Sequence, residues 1–252
     1  MNDTVSALIL SQADFRESDV IIRVLTKEYG LLSFIAKGAR KMTSKNAGSI
    51  IPVTKAEIQF DYKDGQTMFR LKTARTKKFY RRIHEDLKLT AASNMLCDVC
   101  AGMAHEAAVS DEEFDLLEHA FDLLQEGKDP DTLISLYISD MMKLFGIQAD
   151  ADECVRCGNT TVTALSAKDG GFLCHDCAAK AGVREIPAED LKRFRLIVKG
   201  SLRHIDLIMN AAPADTGQLG VLIDMLRIHA GLQLRSFAFY KALYYKRYAT
   251  IE

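Results

Sequence analysis

The apolar residues of this chain keep two different periods, and the change comes near residue 80. Before it they alternate. Ala56, Ile58, Phe60 and Tyr62 are separated by Glu57, Gln59 and Asp61, the two-residue repeat of a strand buried on one face. Runs rich in Val, Ile, Leu, Phe and Thr at 6–10, 19–26, 31–36, 53–62 and 67–76 predict five strands. Turns fall at 27–30 and at Lys63, Asp64 and Gly65, where Asp-Gly tolerates positive φ. So many strands in so short a stretch, without the helices of βαβ units, predict a small closed barrel. An OB-fold fits the count, and an SH3-like barrel fits it nearly as well.

After residue 80 the period is helical. Leu87, Met95, Leu96, Val99 and Met103 mark one helix. Ser110 with Glu113 reads as a capping box that opens a second, in which Phe114, Leu117, Phe121 and Leu124 recur at helical spacing. Asp129 and Pro130 open a third as N-cap and first-turn proline, and Gly146 stops it. Helices are expected again near 187–198, 214–229 and 232–247. The fold class is therefore α+β by segregation: an N-terminal OB-fold β-barrel over 1–80, then a helical domain over 81–252 with a four-cysteine zinc-ribbon insert at 152–182.

The insert carries the sharpest local signal. Cys154 and Cys157 form one pair with two intervening residues, and Cys174 and Cys177 form another. Each pair turns a knuckle that aims both sulfurs at one point, and four thiolates complete a tetrahedron around a zinc ion at about 2.3 Å. Gly158 helps the first knuckle turn, and Gly170 and Gly171 turn the hairpin between the pairs. Four thiolates leave no open position for water, so one Zn2+ with a structural role is expected. His175 is expected to face solvent. Cys97 and Cys100 share one face of an apolar helix and read as buried thiols.

Charge is distributed unevenly. The formal net charge is −1, yet residues 1–82 carry 16 Lys and Arg against 8 Asp and Glu. From Lys37 to Arg82 there are thirteen basic residues and three acidic ones. That density makes a positive face able to displace counterions from a phosphate backbone. The candidate DNA-binding residues are Lys37, Arg40, Lys41, Lys45, Arg70, Lys72, Arg75, Lys77, Lys78, Arg81 and Arg82. Phe69, Phe79 and Tyr80 lie among them as candidate stacking faces for unpaired bases, with Phe69 expected in the core instead and Tyr80 open between the two. The stretch 85–153 is acidic instead, with seventeen Asp and Glu against three lysines, and reads as solvated helix faces. A second basic stripe, Lys192, Arg193, Arg195, Lys199 and Arg203, is interleaved with Phe194 and Leu196. It is a candidate site for an acidic peptide with an apolar end.

Several function classes find no support. There is no nucleotide-binding P-loop, dinucleotide fingerprint, metalloprotease helix or nucleophile elbow. Asp150, Asp152 and Glu153 abut a cysteine knuckle and read as solvated rather than as a nuclease cluster. No run is long and apolar enough for a membrane span, and the N-terminus lacks the features of a signal peptide. A cytoplasmic protein that is not an enzyme is expected, its cysteines reduced or on metal. The alternative class is a zinc-ribbon nucleic-acid-binding transcription or translation factor, and a metal-dependent hydrolase acting on nucleic acid is the third.

The order of these parts resembles the RecO family of bacterial DNA repair proteins. Leu8, Ile9 and Leu10, the run from Phe15 to Asp19, and Leu25 to Gly30 look like the family's opening hairpin. Ala36, Lys37, Gly38, Ala39 and Arg40 look like its basic loop, the four paired cysteines like its zinc ligands, and His229 with Leu234, Arg235 and Ser236 like its C-terminal helical motif. A Pro-Phe pair often closes the family's first loop, and here it is Pro52 with Val53. The resemblance implies an OB-fold, binding of ssDNA and dsDNA, and annealing of complementary strands. It further implies partnership with RecR, binding of the acidic C-terminal tail of single-stranded DNA-binding protein (SSB), and functional links to RecA and RecF in the RecFOR pathway. It places the protein in the bacterial cytoplasm, associated with the nucleoid.

Overall fold

A computed structural model describes residues 2–106 and 108–244. Six strands come first: β1 (Asn2–Phe15), β2 (Asp19–Thr26), β3 (Gly30–Ala36), β4 (Thr54–Asp61), β5 (Met68–Arg70) and β6 (Thr73–Phe79). They form one sheet in the order β5-β3-β2-β1-β4-β6. β1 is much longer than the expected 6–10 because it serves two neighbours, β4 through its first half and β2 through its second. Its second half is exposed from Ser11 to Asp14, where Ala13 is the one apolar residue, so no apolar alternation marks it.

The expected single strand at 67–76 is broken in two. The Leu71 N–H donates to Ile35 of β3, and the Lys72 N–H donates to Gln59 of β4. The chain thus passes from one margin of the sheet to the other within two residues. The two end strands do not pair with each other, so the sheet is not closed into a barrel. β6 is an edge strand, and Asn46 and Ser49 cap its free amides at Ala74 and Thr76. That protects a row of unpaired backbone groups. The sheet encloses a core that includes Val5, Ile9, Val20, Ile22, Ile58 and the mutually packed rings of Phe34, Phe60 and Phe69.

Nine helices follow among the described residues. α1 (Arg81–Glu85), α2 (Leu87–Met103), α3 (Asp111–Glu126) and α4 (Pro130–Leu144) precede a short hairpin of β7 (Ala164–Ser166) and β8 (Gly171–Leu173). Then come α5 (His175–Ala181), α6 (Ala188–Lys199), α7 (Ile205–Ala211), α8 (Thr216–His229) and α9 (Ser236–Tyr244). The order of a strand domain followed by a helical region with the four cysteines stands as read. Asp129 caps α4 by accepting from the Thr132 N–H at 2.9 Å, as expected. At α3 the Ser110 hydroxyl instead donates to the Ala108 carbonyl. A complete capping box occurs at α8, where Asp215 and Gln218 exchange hydrogen bonds. The helix expected at 232–247 begins at Ser236, and positions 245–247 lie outside the described residues.

The chain divides into two compact units. The first runs to Glu126 and resumes at Ser236, so it joins the strands to α1, α2, α3 and α9. Cys97 and Cys100 are buried in its helix α2. The second, Gly127–Arg235, is built around α4, which is buried without a break from Thr132 to Met142. Asp140 within that stretch accepts from the Leu202 N–H at 2.8 Å. Among the described residues no helix is long and apolar enough to cross a membrane.

Candidate metal centre and nucleic-acid interface

The cysteine cluster is assembled by two local devices. In the first knuckle the N–H groups of Cys157 and Gly158 both donate to the Cys154 carbonyl, and Gly158 takes the positive φ of 72° that closes the turn. In the second, Cys174 is the N-cap residue of α5 and Cys177 lies in its first turn. The helix N-terminus therefore faces the sulfurs with its positive end. Gly171 brings the hairpin onto the first knuckle: a Cβ there would sit 2.2 Å from the Asp150 carbonyl oxygen.

All four sulfurs lie within 4.8 Å of one another, and Cys157 Sγ is 3.6 Å from Cys174 Sγ. Four sulfurs at about 2.3 Å from one ion stand about 3.8 Å apart, so the residues fit a tetrahedral metal. Burial pushes the Cys154 thiol up, but backbone donation around it, led by Cys174, brings it down to about 6. Burial and the neighbouring sulfurs push Cys177 up to about 12. Without a cation the four cannot all be thiolates, and a bound divalent ion removes that conflict. His175 turns away from the cluster and pairs with Glu185 at 2.6 Å. The apolar core beneath is small, chiefly Cys154, Ala164, Leu173, Cys174 and Ala178.

The basic residues of the strand domain divide into two classes. Helix α3 presents Asp115, Glu118 and Asp122 at helical spacing to three lysines. Lys27 meets Asp115 at 2.5 Å, Lys55 meets Glu118 at 2.7 Å, and Lys78 meets Asp122 at 2.6 Å. Lys55 and Lys78 are cross-strand partners on β4 and β6, so each carboxylate relieves a like-charge pair. The Asp115 hydrogen bond holds the Lys27 ammonium above its ordinary range. Arg82 donates to the Glu126 carbonyl at 2.9 Å. The acidic stretch is thus not merely solvated, since one stripe of α3 is a counterion for the strands.

Other candidates are paired nearer by. Lys77 sits in a bulge of β6 and meets Glu57, Lys72 meets Asp61, Arg40 meets Asp14 and Arg81 meets Glu85. These pairs are exposed, and such pairs contribute about 0–1 kcal/mol. By contrast Lys37, Lys41, Lys45, Arg70 and Arg75, with Lys63, are exposed and form no salt bridge to a carboxylate among the described residues. Lys37, Lys41 and Lys45 share one loop. It is pinned at its start by the Gly38 N–H, which donates to Asp19 at 2.8 Å, and at its end by Asn46 on β6. Of the three aromatics, Phe69 and Tyr80 are buried and Phe79 is exposed.

Neutralising α3 has opposite effects on stability and binding. Glu118→Gln with Asp122→Asn removes partners from Lys55 and Lys78. Lys55 and Glu118 are both largely shielded, at 25% and 20% side-chain exposure. We expect a loss of about 1–3 kcal/mol, together with tighter DNA binding. The slope of log K against log salt should steepen by up to about 2 units, close to one per lysine freed. Thermal melts and a salt titration of DNA affinity check both.

In the second unit the basic stripe is largely engaged. Arg193 pairs with Asp190 and with Asp215 at 2.9 Å, and Arg195 and Lys199 both hold Asp152. Hydrogen bonds from Lys199 and then Arg195 lower the Asp152 carboxyl below its usual range. Asp152 is therefore a partner within the fold. Lys192 and Arg203 are exposed without a carboxylate partner among the described residues. Phe194 is buried and Leu196 exposed.

Comparison with known families bears on both units. The family profile described as "Recombination protein O N terminal" matches residues 1–80, and "Recombination protein O C terminal" matches residues 84–237. A curated "DNA repair protein RecO" of Halalkalibacterium halodurans is 26% identical over 235 residues, covering 92% of this chain and 91% of that one. The protein of the same name from Listeria welshimeri is 27% identical over 191 residues, covering 75% of this chain and 74% of its own.

Proposed function

The chain belongs to the RecO family, and from that premise we propose that it is a non-enzymatic recombination mediator that grips DNA on the cations of residues 1–80. The observation that carries this reading is the set of exposed basic residues left over once the internal ion pairs are made: Lys37, Lys41, Lys45, Lys63, Arg70 and Arg75. Cations that the fold does not use are available to phosphates, and each phosphate neutralised releases counterions. Interactions of this kind hold the backbone and leave base edges free, so binding has little sequence preference. Two strands on one positive surface repel each other less, and complementary strands pair faster.

The reading extends to partners and metal. The family premise supports RecR as a partner, the acidic tail of SSB as a docking peptide, and a role with RecF in helping RecA load onto coated single strands within the RecFOR pathway. Lys192 and Arg203, near the exposed Leu196 on or beside α6, suit an acidic peptide with an apolar end. The metal is one Zn2+ held by Cys154, Cys157, Cys174 and Cys177. It supplies a structural cross-link, because four thiolates fill its coordination sphere. The setting is the bacterial cytoplasm at the nucleoid.

An annealing assay tests the function. The protein should speed pairing of complementary oligonucleotides without ATP, and strands coated with SSB should respond more strongly when RecR is added. Pairing no faster than the spontaneous rate, or cleavage of the strands, would overturn it.

A further inference from the structure

We infer that Phe79 is a stacking platform for an unpaired nucleobase, held ready by His84. The inference rests on the DNA-binding reading and adds to it a preference for single strands at one named position.

Phe69 and Tyr80 cannot serve, because the fold buries them; Phe79, the last residue of β6, keeps 45% of its surface open. A large ring left in solvent is ordinarily loose. This one is not. The His84 imidazole lies flat against it, with centroids 4.4 Å apart and planes within 3° of parallel. One face of the phenyl ring is occupied, and no other ring lies against it among the described residues.

The imidazole is itself fixed. Its Nε2–H donates to the Val53 carbonyl at 3.3 Å; a carbonyl only accepts, so this nitrogen carries the proton. Val53 has a φ of 59°, the left-handed region that a β-branched residue almost never enters. The strain is held from both sides. The Val53 side chain is buried, and its N–H donates to the Ile9 carbonyl at 2.8 Å. Strained backbone of this kind gathers where a site must be pre-organised. Here the result is a carbonyl aimed at the ring that backs Phe79. A hollow of about 190 Å³ adjoins the stack, lined in part by Pro52, Val53, His84 and Asn94.

The chemistry points to one ligand class. Every base has a flat π face, and a base inside a duplex has both faces covered by its neighbours. A fixed, half-open aromatic ring therefore selects unpaired bases and tolerates any sequence. Cations for the adjoining phosphates flank Phe79 along the chain at Lys77 and Arg81, which the fold holds only in exposed pairs with Glu57 and Glu85. The exposed pairing of Arg81 with Glu85, at 3.3 Å, is of the kind a phosphate displaces.

The chain contains no tryptophan, so Phe79→Trp introduces a single indole at the platform. Its fluorescence should be quenched by single-stranded oligonucleotide. It should stay unchanged with duplex of the same length and with inorganic polyphosphate, which occupies cations but has no bases. In parallel, Phe79→Leu keeps apolar bulk without a π face. It should lower single-strand affinity about 5- to 100-fold and leave duplex affinity and the salt slope as they were. Equal quenching by polyphosphate, or equal losses for single strand and duplex, would overturn the platform while leaving the DNA-binding reading intact. Absence of DNA binding by the unaltered protein would overturn both.

Discussion

Lys37→Glu, Lys41→Glu and Lys45→Glu together should lower affinity for both single- and double-stranded DNA by on the order of 10²-fold at low salt. The three lysines occupy one loop, and the fold gives them no carboxylate partner among the described residues. Reversal replaces attraction to a phosphate by repulsion at each position. The slope of log K against log salt should also flatten, by about 0.9 for each phosphate no longer neutralised on duplex and about 0.7 on single strands. Because the side chains are exposed, the melting temperature should barely move. The informative control is Lys27→Gln with Lys78→Gln, which removes cations already neutralised by Asp115 and Asp122. If the control costs as much affinity as the loop variant, binding follows the diffuse field of the strand domain. The assignment to the loop then fails.

Chelation of the metal should melt the cysteine hairpin and leave DNA binding in place. The core under the four cysteines is small, with Ala164, Leu173 and Ala178 its only fully buried apolar side chains besides cysteines among the described residues, too little to fold a segment of this size unaided. Structural zinc contributes about 10–16 kcal/mol in isolated zinc-finger peptides. Removing it should therefore expose the amides of β7, β8 and α5 to hydrogen exchange within the time of mixing. Cys157→Ser should reproduce the effect in part, since one thiolate of the four is lost. The unpaired cations assigned to DNA, Lys37, Lys41, Lys45, Lys63, Arg70 and Arg75, belong to the first compact unit, so affinity for oligonucleotides should change less than twofold. Full amide protection in chelator would show that the metal is dispensable to the fold. A collapse of DNA affinity would show that it belongs to the interface.

Much of this was legible along the chain because it depends on neighbours in sequence. Alternation at Ala56 to Tyr62 was enough to identify β4, and Asp129 before Pro130 identified the start of α4. The spacing of Cys154 with Cys157, and of Cys174 with Cys177, was enough to foresee four converging sulfurs. Other features gave no such signal. The exposed stretch of β1 from Ser11 to Asp14 carries no apolar alternation, and the break at Leu71 and Lys72 depends on which strand accepts each N–H. The stripe of Asp115, Glu118 and Asp122 looked like any solvated helix face, because its lysines lie far away in sequence.

The sequence by itself determined the two periods, the paired-cysteine knuckles and the excess of cations over residues 1–82. These follow from bonding and spacing within a few residues. Only the tertiary structure decided which cations remain unpaired and which aromatic stays in solvent. Lys55 and Glu118 are 63 positions apart and Lys78 and Asp122 are 44 apart, so their charges cancel only once α3 has packed. Phe79 and Tyr80 are adjacent, yet one is open and the other buried. Their fates are set by the neighbours each one meets, His84 for the first and Phe121 for the second.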